Sequence, residues 1–259
     1  MFKLNAYQLK WIAIVGMFLN HATFAWRDVL PMGVVAVMYA AGGVTFPILA
    51  YFIVEGYKHT SNLGKYMLRI FIFGVIAQPL HFILFGRFGL NIMFTILLSL
   101  IALKLYDVIK IRILFWLVFI LIMVIAFVFM FDWIFIGPLL VLMYYIIPKE
   151  HVRRVVPAIV AGVIWFAITA FGILGIMAMQ DIPELAENVD SILTSFGGAG
   201  ADLNFMIAGL GFIVGCIAGA VLVKNFNSER GKKMKWAFYA AYPLHLALIL
   251  IVAFALGLL

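Results

Sequence analysis

Long apolar stretches alternate with short polar or charged breaks along the whole chain. Most stretches approach or exceed the roughly 20 residues that an α-helix needs to cross a bilayer. The pattern predicts an all-α fold, a polytopic transmembrane helical bundle of about nine spans, with residues 1–259 as a single membrane domain. The predicted spans are 9–26, 33–57, 65–86, 91–109, 113–131, 133–148, 155–179, 203–223 and 235–258.

Composition also favours a membrane protein over a soluble one. Hydrophobic residues make up 67% of the 259 residues and charged residues only 11%, which lies outside the range of soluble globular domains. The opening residues MFKLNAYQLK lack the apolar core and cleavage site of a signal peptide, so the first apolar stretch is expected to remain as a span. The single cysteine, Cys216, leaves no internal disulfide framework.

Basic residues predict the orientation of the bundle. The net charge is +7, but the basic residues fall between apolar runs, so we expect a topology signal and no nucleic-acid partner. With a cytoplasmic N-terminus, all but two of the 18 Lys and Arg residues lie on the inner side, the exceptions being Arg27 and Arg87. This distribution predicts an N-in, C-out orientation.

The longest predicted outer connection covers residues 181–202. Pro183 is a suitable first residue for a short amphipathic helix, and the glycines at 197 and 198 would end it. A lid over the outer mouth of the bundle and a plain connector both agree with this pattern.

The first span carries a lysine and a histidine that indicate a site. Ionisable groups inside a bilayer are costly and usually face a bundle interior or a water-filled cavity. Lys10 and His21 are eleven residues apart, which is about 16 Å along a helix axis and nearly the same face. Lys10 is placed to meet an anionic headgroup or a cofactor phosphate, with His21 well across the membrane. The alternative is an anchoring lysine and a hydrogen-bonded packing histidine.

A second group of polar residues lies near the inner ends of the second and third spans. Glu55 precedes Lys58 and His59, and Lys65 and Arg69 follow in the next span. Together they form the set best placed to bind phosphates on the inner side. The alternative is that the basic residues anchor the helix ends and Glu55 pairs with one of them.

Further polar residues are expected at about the depth of the first-span histidine. Gln78 and His81 lie in the outer half of the third span, and Asn91 opens the fourth. Tyr242 and His245 lie near the middle of the ninth span. The sequence therefore offers a second candidate base and several hydrogen-bond donors.

Several motifs of other enzyme classes are missing from the sequence. It contains no Walker loop, dinucleotide fingerprint, His-Glu-x-x-His zinc motif or Gly-x-Ser-x-Gly elbow. No two of the five histidines have the spacing of helical metal ligands. We therefore expect no metal cofactor.

Five runs of residues, in this order, resemble the TraX family of membrane proteins, whose namesake acetylates the pilin N-terminus in conjugation. The runs are QLKWIAIVGMFLNH, TFPILAYFIVEGYKHTSNLGKYMLR, IAQPLH, LNIMFT and FYAAYPLHL. The resemblance covers nearly the whole chain and is most specific in residues 46–69 and 242–245. The spacing of Lys10 and His21 is also similar to that in the first helix of bacterial membrane O-acyltransferases.

These resemblances imply a transmembrane acyltransferase. In the wider superfamily, which looks to include the lysosomal heparan glucosaminide acetyltransferase, acetyl-CoA enters from the cytoplasm and the acyl group reaches an acceptor on the other side. For this chain, the resemblance implies a protein of the bacterial cytoplasmic membrane. One residue departs from the expected pattern, because Asn20 stands where many TraX relatives are expected to have an acid. An amide can orient the neighbouring imidazole, but it cannot stabilise its cation as an acid does.

We therefore expect transfer of an acetyl or short acyl group from acetyl-CoA to a pilin, peptide, sugar or small amine. His21 is the expected base, because an unperturbed imidazole titrates near ~6.5, and a covalent acyl-histidine is the alternative. The other expected site residues are His245 and Asn20 beside the base; Gln78, His81, Asn91 and Tyr242 for the acceptor or oxyanion; and Lys10, Glu55, Lys65 and Arg69 for coenzyme A.

Two other classes of function agree with parts of the sequence. One is a secondary transporter or channel in which buried histidines relay protons or bind a substrate. The other is a scaffold that uses the small-residue run GLGFIVGCIAGAV to associate with other membrane helices, although internal packing is the favoured use of that run.

Overall fold

The computed structural model describes residues 3–86, 89–179 and 209–258. These residues form ten helices and no strand: α1 Ala6–Trp26, α2 Met32–His59, α3 Leu63–Phe85, α4 Ile92–Val108, α5 Arg112–Val128, α6 Ile136–Ile146, α7 Glu150–Arg153, α8 Val156–Met179, α9 Phe212–Lys224 and α10 Lys235–Ala255. Each predicted span overlaps one of these helices, which confirms the all-α bundle. The predicted lid or connector at 181–202 lies outside the described residues.

Several of these helices identify an integral membrane protein. Four segments are long and apolar enough to cross a bilayer: Met32–His59, Leu63–Phe85, Glu150–Gly175 and Trp236–Ala255. Three shorter helices, α5, α6 and α9, are also apolar. The polar residues of α1 lower its hydropathy, although it is 21 residues long. The count of nine spans and the N-in orientation stay predictions.

Helix α2 packs closely against α1. A Cβ atom added at Gly16 would lie 2.7 Å from the carbonyl oxygen of Ala41 and 2.8 Å from the hydroxyl of Thr45. The same hydroxyl donates a hydrogen bond to the Ala13 carbonyl, 3.0 Å away. Because glycine has no side chain, the two backbones approach each other directly, and a threonine links them.

The other side of α2 packs against α9 in the same way. A Cβ atom at Gly215 would lie 1.9 Å from the Ala40 carbonyl oxygen, and one at Gly43 would lie 2.3 Å from that of Phe212. Cys216 is fully buried beside this contact. The run GLGFIVGCIAGAV therefore packs internally against α2, as the sequence favoured.

Helices α1, α3 and α10 run side by side in the same direction. Near the first turns of α1 and α10, the ring of Tyr7 lies 6.2 Å from Phe238, and Phe73, in the third turn of α3, stacks on Tyr239 at 5.6 Å. Farther along, α1 and α10 meet again at residues 21 and 245. We call the end at which these three helices begin the basic end, because it holds Lys10 and Arg69.

A short backbone pairing fixes the start of α10 relative to α1. The amide of Leu4 donates to the Asn225 carbonyl, and that of Asn227 donates back to Leu4. The Ala6 amide donates to the Glu229 carbonyl at 2.8 Å. The α9–α10 connector, residues 225–234, is thereby held against the segment that precedes α1.

One carboxylate links three helices near their ends. Asp107, near the end of α4, accepts hydrogen bonds from the hydroxyls of Tyr57 on α2, at 2.5 Å, and Tyr145 on α6, at 2.7 Å. Both carboxylate oxygens are thus satisfied, as a partly buried acid requires. The sequence analysis did not identify this cluster, because the three residues are distant in sequence.

The α2–α9 contact leads to a stability prediction. Gly215→Ala places a methyl group against the Ala40 carbonyl, and overpacking of this kind costs about 1–3 kcal/mol or more. We expect a lower Tm for the purified variant in detergent. The matched control is Gly175→Ala in α8, where an added Cβ meets no atom within 4 Å. Equal Tm values for both variants would show that α9 does not pack on α2 in this way.

Candidate functional site

Two histidines from opposite parts of the chain meet inside the bundle. His21 of α1 and His245 of α10 are each 6% exposed, and the distance between His21 Nδ1 and His245 Nε2 is 2.7 Å. Their ring centroids are 4.9 Å apart. A direct hydrogen bond therefore joins the first-span histidine to the second candidate base.

A backbone carbonyl determines which ring nitrogen of each neutral histidine carries the proton. His245 Nδ1 lies 3.0 Å from the Ala241 carbonyl oxygen, which only accepts hydrogen bonds. His245 therefore carries its proton on Nδ1, and its Nε2 accepts one from Nδ1 of His21. With its proton on Nδ1, His21 keeps an unprotonated Nε2, the atom that a general base needs.

Three more side chains surround this pair. The ring of Tyr242 lies 5.2 Å from His245 and 6.2 Å from His21. The ring of Phe85 lies 5.3 Å from His21 and 4.5 Å from His81, which also interacts electrostatically with His21. We call these five residues the histidine layer. The sequence analysis expected four of them, and it missed Phe85, which lies one helical turn beyond His81.

Tyr242 is 1% exposed, and its hydroxyl points into the protein. The hydroxyl lies beside the backbone N–H of Ile92 but forms no hydrogen bond of ordinary geometry with the described residues. Its proton therefore has no acceptor among them. A hydroxyl of this kind, on a ring that packs against two imidazoles, is suited to donate to a ligand oxygen.

Asn20 faces α2, whereas the sequence analysis expected it to orient the neighbouring imidazole. Its side-chain amide donates to the Tyr39 carbonyl at 3.1 Å. A Cβ atom at Gly42 would lie 2.5 Å from the Asn20 side chain, so that glycine makes the space for the amide. The structure therefore gives Asn20 a role in the α1–α2 contact.

Gln78 and Asn91 bond to each other and to backbone carbonyls of α3 and of the α3–α4 connection. The Asn91 amide donates to the Gly74 carbonyl at 2.8 Å and to Gln78 Oε1 at 2.9 Å. Gln78 Nε2 in turn donates to the Gly89 carbonyl at 2.7 Å. Both amide protons of Asn91 are used in these bonds, so the oxyanion role expected of it would require one of them to break.

Two cations at the basic end contact neighbouring residues of α10. Lys10 Nζ lies 5.0 Å from the ring centroid of Phe52 on α2 and 5.2 Å from that of Phe238. The guanidinium of Arg69 lies 5.9 Å from the centroid of Tyr239. Among the described residues neither cation forms an ion pair with an acid, so both keep charge for an anion.

The other two residues expected to bind coenzyme A are placed differently. Glu55 lies 3.8 Å from Lys58 in an ion pair, and its carbonyl accepts a hydrogen bond from His59. Lys65 is exposed in the first turn of α3, where its backbone amide is capped by Asn62. The structure thus brings Lys10 and Arg69 to α10, while Glu55 takes the anchoring alternative.

Residues 5–253 match the family described as TraX protein. The chain belongs to the TraX family. The match confirms the resemblance seen in the sequence, and it covers all the residues of the histidine layer and both cations at the basic end. TraX-like runs on α1, α3 and α10 supply four of the five residues of the layer.

A relative of this TraX-family protein is "Probable fimbrial assembly protein FimC, serogroup H1" from Dichelobacter nodosus. The two are 37% identical over 117 residues, which cover 38% of this chain and 45% of the relative. The chain therefore matches less than half the length of that protein. No solved structure matches the chain.

The part of this TraX-family chain that the structure describes has no cluster of three or more His, Cys, Asp or Glu side chains with the geometry to hold a metal ion. What the layer offers is a base, a hydroxyl donor and aromatic walls.

The position of Asn20 yields a prediction that separates its two roles. Asn20→Asp replaces the donor to the Tyr39 carbonyl with a carboxylate that repels that oxygen. We expect this variant to have a lower Tm than Asn20→Ala in thermal unfolding at neutral pH. A Tm for Asn20→Asp equal to or above that of wild type would mean that the side chain turns toward the imidazole instead.

Proposed function

We propose that this protein is a membrane-embedded acyltransferase. It moves an acetyl or short acyl group from cytoplasmic acetyl-CoA to an amine or hydroxyl acceptor reached from the outer side of the bacterial cytoplasmic membrane. The observation that carries the proposal is the hydrogen-bonded pair of His21 and His245, in which His21 Nε2 stays unprotonated.

In the proposed reaction, His21 Nε2 takes the proton of the acceptor as its nitrogen or oxygen attacks the thioester carbonyl carbon. A new bond forms between the acceptor and the acyl carbon, and the carbon–sulfur bond breaks. The leaving thiolate of coenzyme A then receives the proton from His21. General base catalysis of this kind contributes roughly 10²–10⁴-fold to a rate.

His245 takes the place of the acid that other histidine bases use. When His21 accepts a proton on Nε2, the Nδ1 proton that it donates to His245 can be shared between the rings. The Ala241 carbonyl oxygen stabilises positive charge on the second ring. This arrangement needs no carboxylate at position 20, which agrees with the position of Asn20 against α2.

Tyr242 is the best-placed donor to the developing oxyanion. An oxyanion donor must be free to donate from about 3 Å. The Tyr242 hydroxyl is buried and has no acceptor among the described residues, and its ring packs against both histidines. Gln78 and Asn91 already donate to the backbone at the α3–α4 connection, whereas His81 and Phe85 line the remaining side of the layer.

Lys10 and Arg69 are proposed to bind the phosphates of coenzyme A. Both are cations without an acidic partner among the described residues, and both contact α10, the helix that also carries His245. Lys10 and His21 are about 16 Å apart along α1. This separation suits a donor whose charged and reactive ends are joined by a long flexible arm.

The acceptor is proposed to be the N-terminal amine of a pilin or fimbrial subunit. The support comes from the name of the Dichelobacter nodosus relative, a probable fimbrial assembly protein, and from membership of the TraX family. A sugar or small amine would need the same base and the same donor site. The choice of acceptor therefore requires a direct assay with all three classes.

The proposal predicts that His21→Ala loses acyl transfer. We expect turnover to fall by roughly 10²–10⁴-fold, because the general base is removed. The measurement is transfer from labelled acetyl-CoA to peptide, sugar and small-amine acceptors by the purified protein in nanodiscs. His151→Ala is the matched control, since His151 is exposed at the end of the bundle.

Unchanged turnover in His21→Ala would remove His21 as the base. Absence of transfer in wild type with every acceptor, together with histidine-dependent solute or proton flux into liposomes without coenzyme A, would favour the transporter instead.

The role of His245 is tested by two substitutions. His245→Gln keeps an oxygen that accepts from His21 Nδ1, but it cannot share the proton, whereas His245→Ala loses both functions. We expect kcat to fall by about 10²-fold in His245→Ala and by less in His245→Gln, with KM for acetyl-CoA near wild type in both. Equal kcat values in wild type and His245→Ala would show that His21 acts without this partner.

A further inference from the structure

A third cation lies beside Lys10 at the basic end, and the sequence analysis did not single it out. Arg230, in the α9–α10 connector, interacts electrostatically with Lys10. Lys10 is half-buried between two aromatic rings, whereas Arg230 is exposed at the surface of the bundle. Two positive charges are therefore held near each other, one inside and one at the rim.

The backbone on both sides of Arg230 is fixed against the start of α1. The Glu229 carbonyl accepts a hydrogen bond from the Ala6 amide at 2.8 Å. Gly231 has a φ of +67° and packs so tightly that an added Cβ would lie 2.7 Å from the Asn5 side chain. Lys10 is one helical turn beyond Ala6. The connector thus holds Arg230 near Lys10 by main-chain contacts, in spite of the repulsion between the two charges.

The nearby acids do not neutralise this pair. Glu229, next to Arg230, accepts a hydrogen bond from the Asn227 side chain at 2.8 Å. Glu55 pairs with Lys58. Among the described residues neither Lys10 nor Arg230 forms an ion pair. Like charges placed together without a counter-charge repel each other, and an anion between them would remove the repulsion.

We propose that Lys10 and Arg230 together bind a phosphate group at the basic end. If the proposed function holds, that phosphate belongs to coenzyme A, with its nucleotide at the rim beside Arg230 and its thioester arm directed along α1 toward His21. The same chemistry would also bind the headgroup of an anionic phospholipid. Arg230 would then be a residue that determines how tightly the charged end of the donor binds.

The alternative is that Arg230 is only one of several surface charges that set topology. The chain offers a matched control for this alternative. Lys233 is exposed in the same connector, three residues later, and removing either charge changes the net charge equally. Substitutions at the two positions should affect ligand binding differently only if Arg230 binds a phosphate group.

The test measures binding and does not depend on acyl transfer. Purified full-length protein in nanodiscs of neutral lipid is titrated calorimetrically with coenzyme A and with 3′-dephospho-coenzyme A. We expect Arg230→Gln and Lys10→Gln each to weaken coenzyme A binding by about tenfold, as loss of a hydrogen bond to a charged group does. Lys233→Gln should change it by less than about twofold. The variant that combines Lys10→Gln and Arg230→Gln should lose less binding free energy than the sum of the two single losses, because both residues bind one phosphate group.

The two phosphate sources are separated by the ligands. If Arg230→Gln weakens the binding of coenzyme A but not that of the 3′-dephospho form, Arg230 binds the 3′-phosphate. If it weakens the binding of both ligands equally, Arg230 binds the diphosphate. If wild type binds no coenzyme A but retains phosphatidylglycerol in native mass spectrometry, and Arg230→Gln alone releases it, the site is a lipid site and the proposed function loses its support.

The phosphate site is overturned if Arg230→Gln and Lys233→Gln have the same effect on both ligands. In that case coenzyme A binding in wild type would still support the acyltransferase. Circular dichroism and elution volume of each variant confirm that the bundle remains folded.

Discussion

The backbone of α2 touches α1 on one side and α9 on the other, with glycines in place of side chains at both contacts. Inside a bilayer the hydrophobic effect does not drive helices together, so close packing has to hold them. This double contact fixes the distances between α2 and its two neighbours. It also leaves the opposite face of α1 for α3 and α10. The histidine layer exists because α1 is held in this way, with His21 turned toward α10 and Asn20 turned toward α2.

Most of the fold could be predicted from the sequence, because apolar runs and charged breaks report directly on bilayer-length helices. The predicted bounds of α2, 33–57, differ by one or two residues from Met32–His59. The short helix Glu150–Arg153 was missed, since four residues with a single apolar side chain, Val152, show no helical periodicity. Which helices are neighbours was not readable, because the close contact of Gly43 and Gly215 joins residues far apart in sequence.

The candidate site was predictable in its residue types but not in its bonds. Buried histidines are rare enough in membrane helices that His21, His81 and His245 stood out individually. The hydrogen bond between two of them depends on helix neighbours and rotation, which no local pattern encodes. For the same reason, Asn20 and Asn91 were expected in the site from their sequence positions, whereas their side-chain amides bond to backbone carbonyls.

The pairing of His21 with His245 has a consequence for how the protein is made. The two residues are separated by 224 positions, and they lie in the first and the last described helix. During synthesis, α1 is made and inserted before α10, so His21 is in the membrane before its partner. The hydrogen bond between Leu4 and Asn227 also forms only after the α9–α10 connector has been made. The hydrogen bond between the two histidines can therefore form only after α10 has been synthesised and inserted, so a chain without α10 has an incomplete histidine layer.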